Sequence, residues 1–161
     1  MYEFMAWLEA SALGHAMRES GVWTYGIVNL AHILGISSLF GAVLVLDLRL
    51  LGFWKHIRLT AITGPTVPVA AGGFALAISS GACMITANAT EYVGNPFLYV
   101  KFPAIALAVM NVGALNLSPA WKDRNVRELS RGEQRLLAAA GGISLLSWLT
   151  AIAAGRMIGY W

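Results

Sequence analysis

An all-α integral membrane protein, a four-transmembrane-helix bundle led by an N-terminal amphipathic interfacial helix, is the fold class this sequence predicts. Three observations carry that expectation. Of 161 residues, 58% are hydrophobic and only 12% are charged, against about 25% charged in a typical soluble domain. Four charge-free runs each reach the roughly 20 apolar residues that a spanning helix needs. None of the runs alternates with the period of a barrel strand, and lipid leaves helices as the other option. The length suits one membrane domain, residues 1–161, with no second soluble domain. A single cysteine, Cys83, excludes a disulfide framework and a thiolate cluster.

Residues 2–19 precede the first span and carry Glu3, Glu9, Arg18 and Glu19. Acidic residues and the lack of a basic leader set this stretch apart from a signal peptide. At 100° per residue, Phe4, Trp7, Leu8, Ala12 and His15 share one side, which predicts one helix lying in the membrane interface. The first span is expected over about 22–46, closed by Asp47 and Arg49. The second is expected over 66–89, with Pro65 and Pro68 in a lead-in turn and many small residues (Gly72, Gly73, Ser80, Gly81) allowing close helix approach. The third, over 96–118, opens on Asn95-Pro96, because a first-turn proline loses no hydrogen bond, and closes at Pro119. The fourth is expected over 134–157, its helix starting at a capping box formed by Ser130 and Glu133.

Lysine and arginine set the orientation. Arg49, Lys55 and Arg58 fall in the first loop, and Lys122, Arg124, Arg127, Arg131 and Arg135 in the third. Eight of the eleven basic residues thus share one side, read as the cytoplasm. Both termini are then periplasmic in a multi-pass protein of the bacterial inner membrane. The net charge of +3 is a topology signal and implies no nucleic-acid partner. The lipid bilayer is the expected surrounding, and a homo-oligomer is compatible with it.

Polar groups inside the spans carry most of the functional information, since an ionisable side chain in lipid costs a few kcal/mol and defaults to a functional candidate. His32 lies nine residues past Trp23, about 14 Å along the helix at 1.5 Å per residue. Tyr25, Asn29, His32 and Ile36 recur at helical spacing and form one stripe, so Tyr25 and Asn29 join His32 as candidates. A neutral imidazole can ligate a haem iron, whereas the bland alternative is a histidine bonded to a neighbouring helix. Lys101, about 7.5 Å into the third helix, either snorkels to the surface or meets an anion such as a haem propionate. Arg156, beside Tyr160 and Trp161, presents the same choice. His15 is a candidate second ligand or propionate contact. The spans lack acidic relay residues, because Asp47 and Glu91 fall at span ends, so an ion-coupled carrier is not expected.

The segments Leu30-Ala31-His32-Ile33-Leu34-Gly35, Leu46-Asp47-Leu48-Arg49-Leu50-Leu51-Gly52 and Asn95-Pro96-Phe97-Leu98-Tyr99-Val100-Lys101 together resemble a superfamily of small bacterial membrane proteins. It includes copper-resistance protein D and the HemJ-type protoporphyrinogen oxidases. Trp7-Leu8-Glu9, Arg18-Glu19-Ser20 and the terminal Gly155, Arg156, Ile158 and Tyr160 are similar to an uncharacterised bacterial four-helix membrane family in that neighbourhood. The resemblance implies haem b bound through His32, with Lys101 near the haem. Where the oxidases carry a further histidine this chain has Asp47-Leu48-Arg49, which ranks porphyrinogen oxidation lower.

The leading expectation is a b-type cytochrome transferring single electrons, with a quinone or a larger membrane redox complex as its partner. His32 would be the axial ligand, His15 a second one, and Lys101 and Arg156 the propionate contacts. The alternatives are a non-catalytic accessory subunit of a respiratory or photosynthetic complex, a protoporphyrinogen-oxidase-like enzyme, and a binder of an anionic amphiphile.

Overall fold

The computed structural model describes residues 2–124 and 126–161, and these are helical with no strand among them. Seven helices follow one another: α1 (Tyr2–Glu9), α2 (Ala12–Glu19), α3 (Gly21–Leu51), α4 (Leu59–Ala87), α5 (Pro96–Leu117), α6 (Pro119–Lys122) and α7 (Arg131–Ile158). A 3₁₀ turn, Ala89–Tyr92, lies between α4 and α5. Helices α3, α4, α5 and α7 are long and apolar enough to cross a membrane.

The N-terminal stretch departs from the single amphipathic helix its periodicity predicts. Ser11 breaks it, donating from Oγ to the Leu8 carbonyl at 2.6 Å and accepting from the Gly14 amide at 3.2 Å. One hydroxyl therefore closes α1 and caps α2, satisfying groups that a helix end leaves open. The break interrupts the 100° register, so His15 no longer continues the stripe of Phe4 and Trp7. Those two rings stack at 6.0 Å and remain exposed.

Two of the long helices extend beyond the residues expected to lie in their spans. Helix α3 runs on past Asp47 and Arg49 to Leu51, and Asp47 is buried, with 3% of its surface exposed. It is an interior residue of the helix rather than its end. Pro65 and Pro68 lie inside α4 instead of in a turn before it. Each deprives the carbonyl four residues back of its amide partner. Between the two prolines the Thr66 hydroxyl donates to the Ile62 carbonyl at 2.7 Å. The capping box at Ser130 and Glu133 forms as the sequence predicts, with both reciprocal bonds present.

The chain divides into two compact units, one of residues 1–39 and 69–95 and the other of 40–68 and 96–161. In the first, α3 and α4 run antiparallel with their backbones in contact. A β-carbon on Gly35 would stand 2.7 Å from the Ala77 nitrogen, and one on Gly73 would stand 2.5 Å from the Leu39 nitrogen. Only glycine permits that separation, because no side chain can occupy space already filled by main chain.

In the second unit α5 lies along α7, joined near their middles by Asn111, whose amide donates to the Ala140 carbonyl at 2.9 Å. One end of this unit is closed by a cluster of Leu50, Ala120, Trp121 and Leu137, with Leu59 and Leu129 packed against it. These residues flank both basic loops, so the structure gathers those loops at one end of the unit. The Arg124 guanidinium lies 3.9 Å above the Trp121 ring, and Arg127 bridges Asp123 at 3.0 Å and Glu133 at 2.6 Å.

Candidate functional site

Helix α3 places His32 against α4 in the first unit, where the residue is half-buried. Its Nδ1 lies 2.9 Å from the Ala77 carbonyl oxygen and 3.1 Å from Ser80 Oγ. A carbonyl can only accept, so Nδ1 is the donor in that bond. The ring lies across Gly81, where a β-carbon would come within 3.0 Å of Cε1. Ser80 is itself anchored by donation to the Leu76 carbonyl. Two small residues one position apart on α4 thus seat and orient one imidazole.

Tyr25 and Asn29 share the half-buried side of α3 with His32, in keeping with the stripe read from their spacing. Tyr25 lies close enough to Tyr92 to influence it electrostatically: burial pushes the Tyr92 phenol up, and Tyr25 and Glu91 push it the same way.

His15 occupies a different setting. It borders an open cleft of about 330 Å³ together with Tyr2, Ala6, Glu9, Arg18 and Thr90. This cleft belongs to a clasp that ties the N-terminal helices to the end of α4. Glu9 Oε2 accepts from both the amide and the hydroxyl of Thr90, each at 2.7 Å. Arg18 donates to the Ala87 carbonyl at 3.0 Å, satisfying one of the acceptors left open at a helix C-terminus. Gly14 lets α2 press against Thr86, whose carbonyl oxygen would lie 2.7 Å from a β-carbon there.

The two Thr90 bonds hold the Glu9 carboxyl below its usual value of 4.5, with a smaller contribution from the Arg18 charge. A carboxylate depressed in the folded state stabilises it fully above its unfolded value, and that contribution disappears as pH falls through the folded value. The Thr90 amide should therefore keep its hydrogen-exchange protection from pH 7 to 5 and lose it progressively below 4.5. In Glu9→Gln, where an amide oxygen replaces the ionisable group, protection should no longer follow pH. A wild-type profile that is flat down to pH 3 would show that the carboxylate does not hold the clasp.

In the second unit Lys101 lies half-buried along α7, its Nζ 3.4 Å from where a Gly155 β-carbon would stand. No hydrogen bond or ion pair engages that ammonium among the described residues. Arg156 is exposed and turns to its own helix end, hydrogen-bonding the Tyr160 hydroxyl and lying 4.6 Å above the same ring.

Asp47 is the residue that sequence reasoning missed. Its carboxyl is within reach of the Ser144 hydroxyl on α7, while its Oδ2 has no partner among the described residues. The Glu9–Thr90 clasp was equally hidden, because its partners lie 81 positions apart and neither is unusual in its local context.

A model described as "Family of unknown function (DUF6644)" matches residues 4–161. The chain belongs to that family. The match takes in both units and all four long helices, from the clasp through to Tyr160, so the clasp, the His32 seat and the Asp47 seam all lie within one family domain. No match was found among the curated proteins or the solved structures.

Proposed function

We propose that the chain is a b-type haem protein of the bacterial inner membrane that transfers single electrons, with His32 as axial ligand. The observation that carries this reading is the hydrogen bond from His32 Nδ1–H to the Ala77 carbonyl. Metal-ligating histidines characteristically donate their second ring nitrogen to a carbonyl or carboxylate, which fixes the tautomer and raises the basicity of the ligating nitrogen. The seat over Gly81 restrains the ring in the same way, so the residues present fit an axial imidazole.

A bound haem would supply a one-electron iron couple at that imidazole. The chain's own residues hold the ring, Ala77 and Ser80 through Nδ1 and Gly81 by leaving room for it. For Lys101 and Arg156 the propionate role is proposed from charge and sequence position alone. His15 is assigned to the N-terminal cleft, and the haem reading does not need it. The partner remains a quinone or a membrane redox complex. The basic loops at one end of the second unit support a multi-pass orientation with both termini periplasmic.

A visible spectrum of the purified protein tests the reading. Soret and α bands are expected from the wild type and should be lost in His32→Ala, with the helical circular dichroism retained. A colourless wild type, or bands of unchanged intensity in the variant, would sink it.

A further inference from the structure

The cleft beside the N-terminal clasp holds two opposite charges that do not neutralise one another. Glu9 and Arg18 both line it, and Arg18 is near enough to influence the Glu9 carboxyl. Yet no ion pair joins them among the described residues. Each is tied elsewhere, Glu9 to Thr90 and Arg18 to the Ala87 carbonyl. These ties use one carboxylate oxygen and one guanidinium nitrogen, which leaves Glu9 Oε1, the rest of the Arg18 fork and the His15 ring to the cleft. The clasp therefore presents an anion and a cation, set apart, to one open cleft of about 330 Å³. That is near the lower bound for small-molecule pockets: room for a polar head group, and too little for a whole lipid.

The surroundings identify the kind of ligand. Tyr2, Phe4 and Trp7 are exposed on the same short helix, and aromatic side chains of this sort concentrate at membrane–water interfaces. We infer that the cleft binds the phosphoethanolamine head group of a membrane phospholipid, its phosphate on Arg18 and His15 and its ammonium on Glu9. A guanidinium fork suits phosphate oxygens, and a primary ammonium can donate to a carboxylate where a trimethylammonium cannot. A purely anionic head group would leave Glu9 facing negative charge. The inference rests on the membrane placement proposed above and is independent of haem.

The experiment uses the full chain in detergent, offered equal amounts of phosphatidylethanolamine, phosphatidylcholine and phosphatidylglycerol of matched chain length, with lipid adducts counted by native mass spectrometry. The ethanolamine lipid should be retained about fivefold over either competitor, the scale of one charge-assisted hydrogen bond at a partly exposed site. Glu9→Gln keeps an oxygen for Thr90 while removing the charge, and should bring the ethanolamine and choline lipids to about equal retention. Arg18→Gln should weaken retention of all three.

Equal retention of the three lipids by the wild type, or a preference unchanged in Glu9→Gln, would overturn the proposal. Full displacement of the lipid by an equal concentration of soluble O-phosphoethanolamine would overturn the lipid source. Carbonate extraction of native membranes separates the two levels. A chain released by carbonate defeats the membrane placement, whereas a carbonate-resistant chain without lipid preference defeats the cleft assignment alone.

Discussion

Gly73→Ala should destabilise the protein by about 3 kcal/mol, at the upper end of overpacking costs, while Gly72→Ala at the neighbouring position should be neutral or stabilising. The chemical change is the same in both. Each swap adds one methyl to the same helix and gains the same propensity, about 1 kcal/mol in favour of alanine. The surroundings differ. A β-carbon on Gly72 meets nothing within 4 Å, whereas one on Gly73 would stand 2.5 Å from the Leu39 nitrogen and 2.8 Å from the Gly35 carbonyl oxygen. Both of those atoms are main chain, so no rotamer change relieves the clash and α3 and α4 must move apart along their contact. Since 1 kcal/mol corresponds to roughly 2–4 °C for a domain of this size, the midpoint of unfolding in detergent should fall by roughly 6–12 °C for Gly73→Ala. It should stay level or rise for Gly72→Ala. Two variants that shift together, in either direction, would show that the helices do not meet at Gly35 and Gly73. The separation also bears on His32, because Ala77 lies one turn further along α4, and Ser80 and Gly81 about two.

What local sequence encodes was readable, and what depends on a distant partner was not. The four long helices follow from apolar runs, and the start of α7 follows from Ser130 and Glu133, whose capping bonds span three positions. The half-buried stripe of Tyr25, Asn29 and His32 follows from helical spacing. The orientation of the His32 ring does not, because its partners Ala77 and Ser80 are ordinary small residues 45 and 48 positions away. Periodicity misled at the N-terminus, where the apolar side continues through Ser11 on paper and a single hydroxyl breaks the helix. Charge misled at Asp47. An acidic residue after an apolar run resembles a boundary, whereas here Asp47 is buried against Gly141 and Ser144 of α7. Pro65 and Pro68 misled for a related reason: a proline pair resembles a turn unless the surrounding chain is held helical from both sides.

Asp47 leads to the second large effect. At Gly141 the α7 backbone approaches α3 closely enough that a β-carbon would stand 3.1 Å from the Asp47 carbonyl oxygen and 3.0 Å from Leu50 Cβ. Asp47 is buried in this seam, so its carboxyl relies on the Ser144 hydroxyl, and its Oδ2 lacks a partner among the described residues. Removing that hydroxyl should therefore cost more than an ordinary hydrogen bond, which contributes only about 1 kcal/mol net, because a buried acceptor is left unsatisfied at about 1–3 kcal/mol. Ser144→Ala is expected to destabilise by about 2 kcal/mol on that account. Asp47→Leu in the Ser144→Ala background should recover most of the loss, since replacing both partners of a buried polar pair with apolar groups of similar size is often neutral or stabilising. The measurement is a double-mutant cycle on unfolding free energy, with a coupling of at least about 1 kcal/mol expected between contacting residues. Strict additivity would mean that the two side chains do not interact. A Ser144→Ala variant as stable as the wild type would mean that water reaches the Asp47 carboxyl after all.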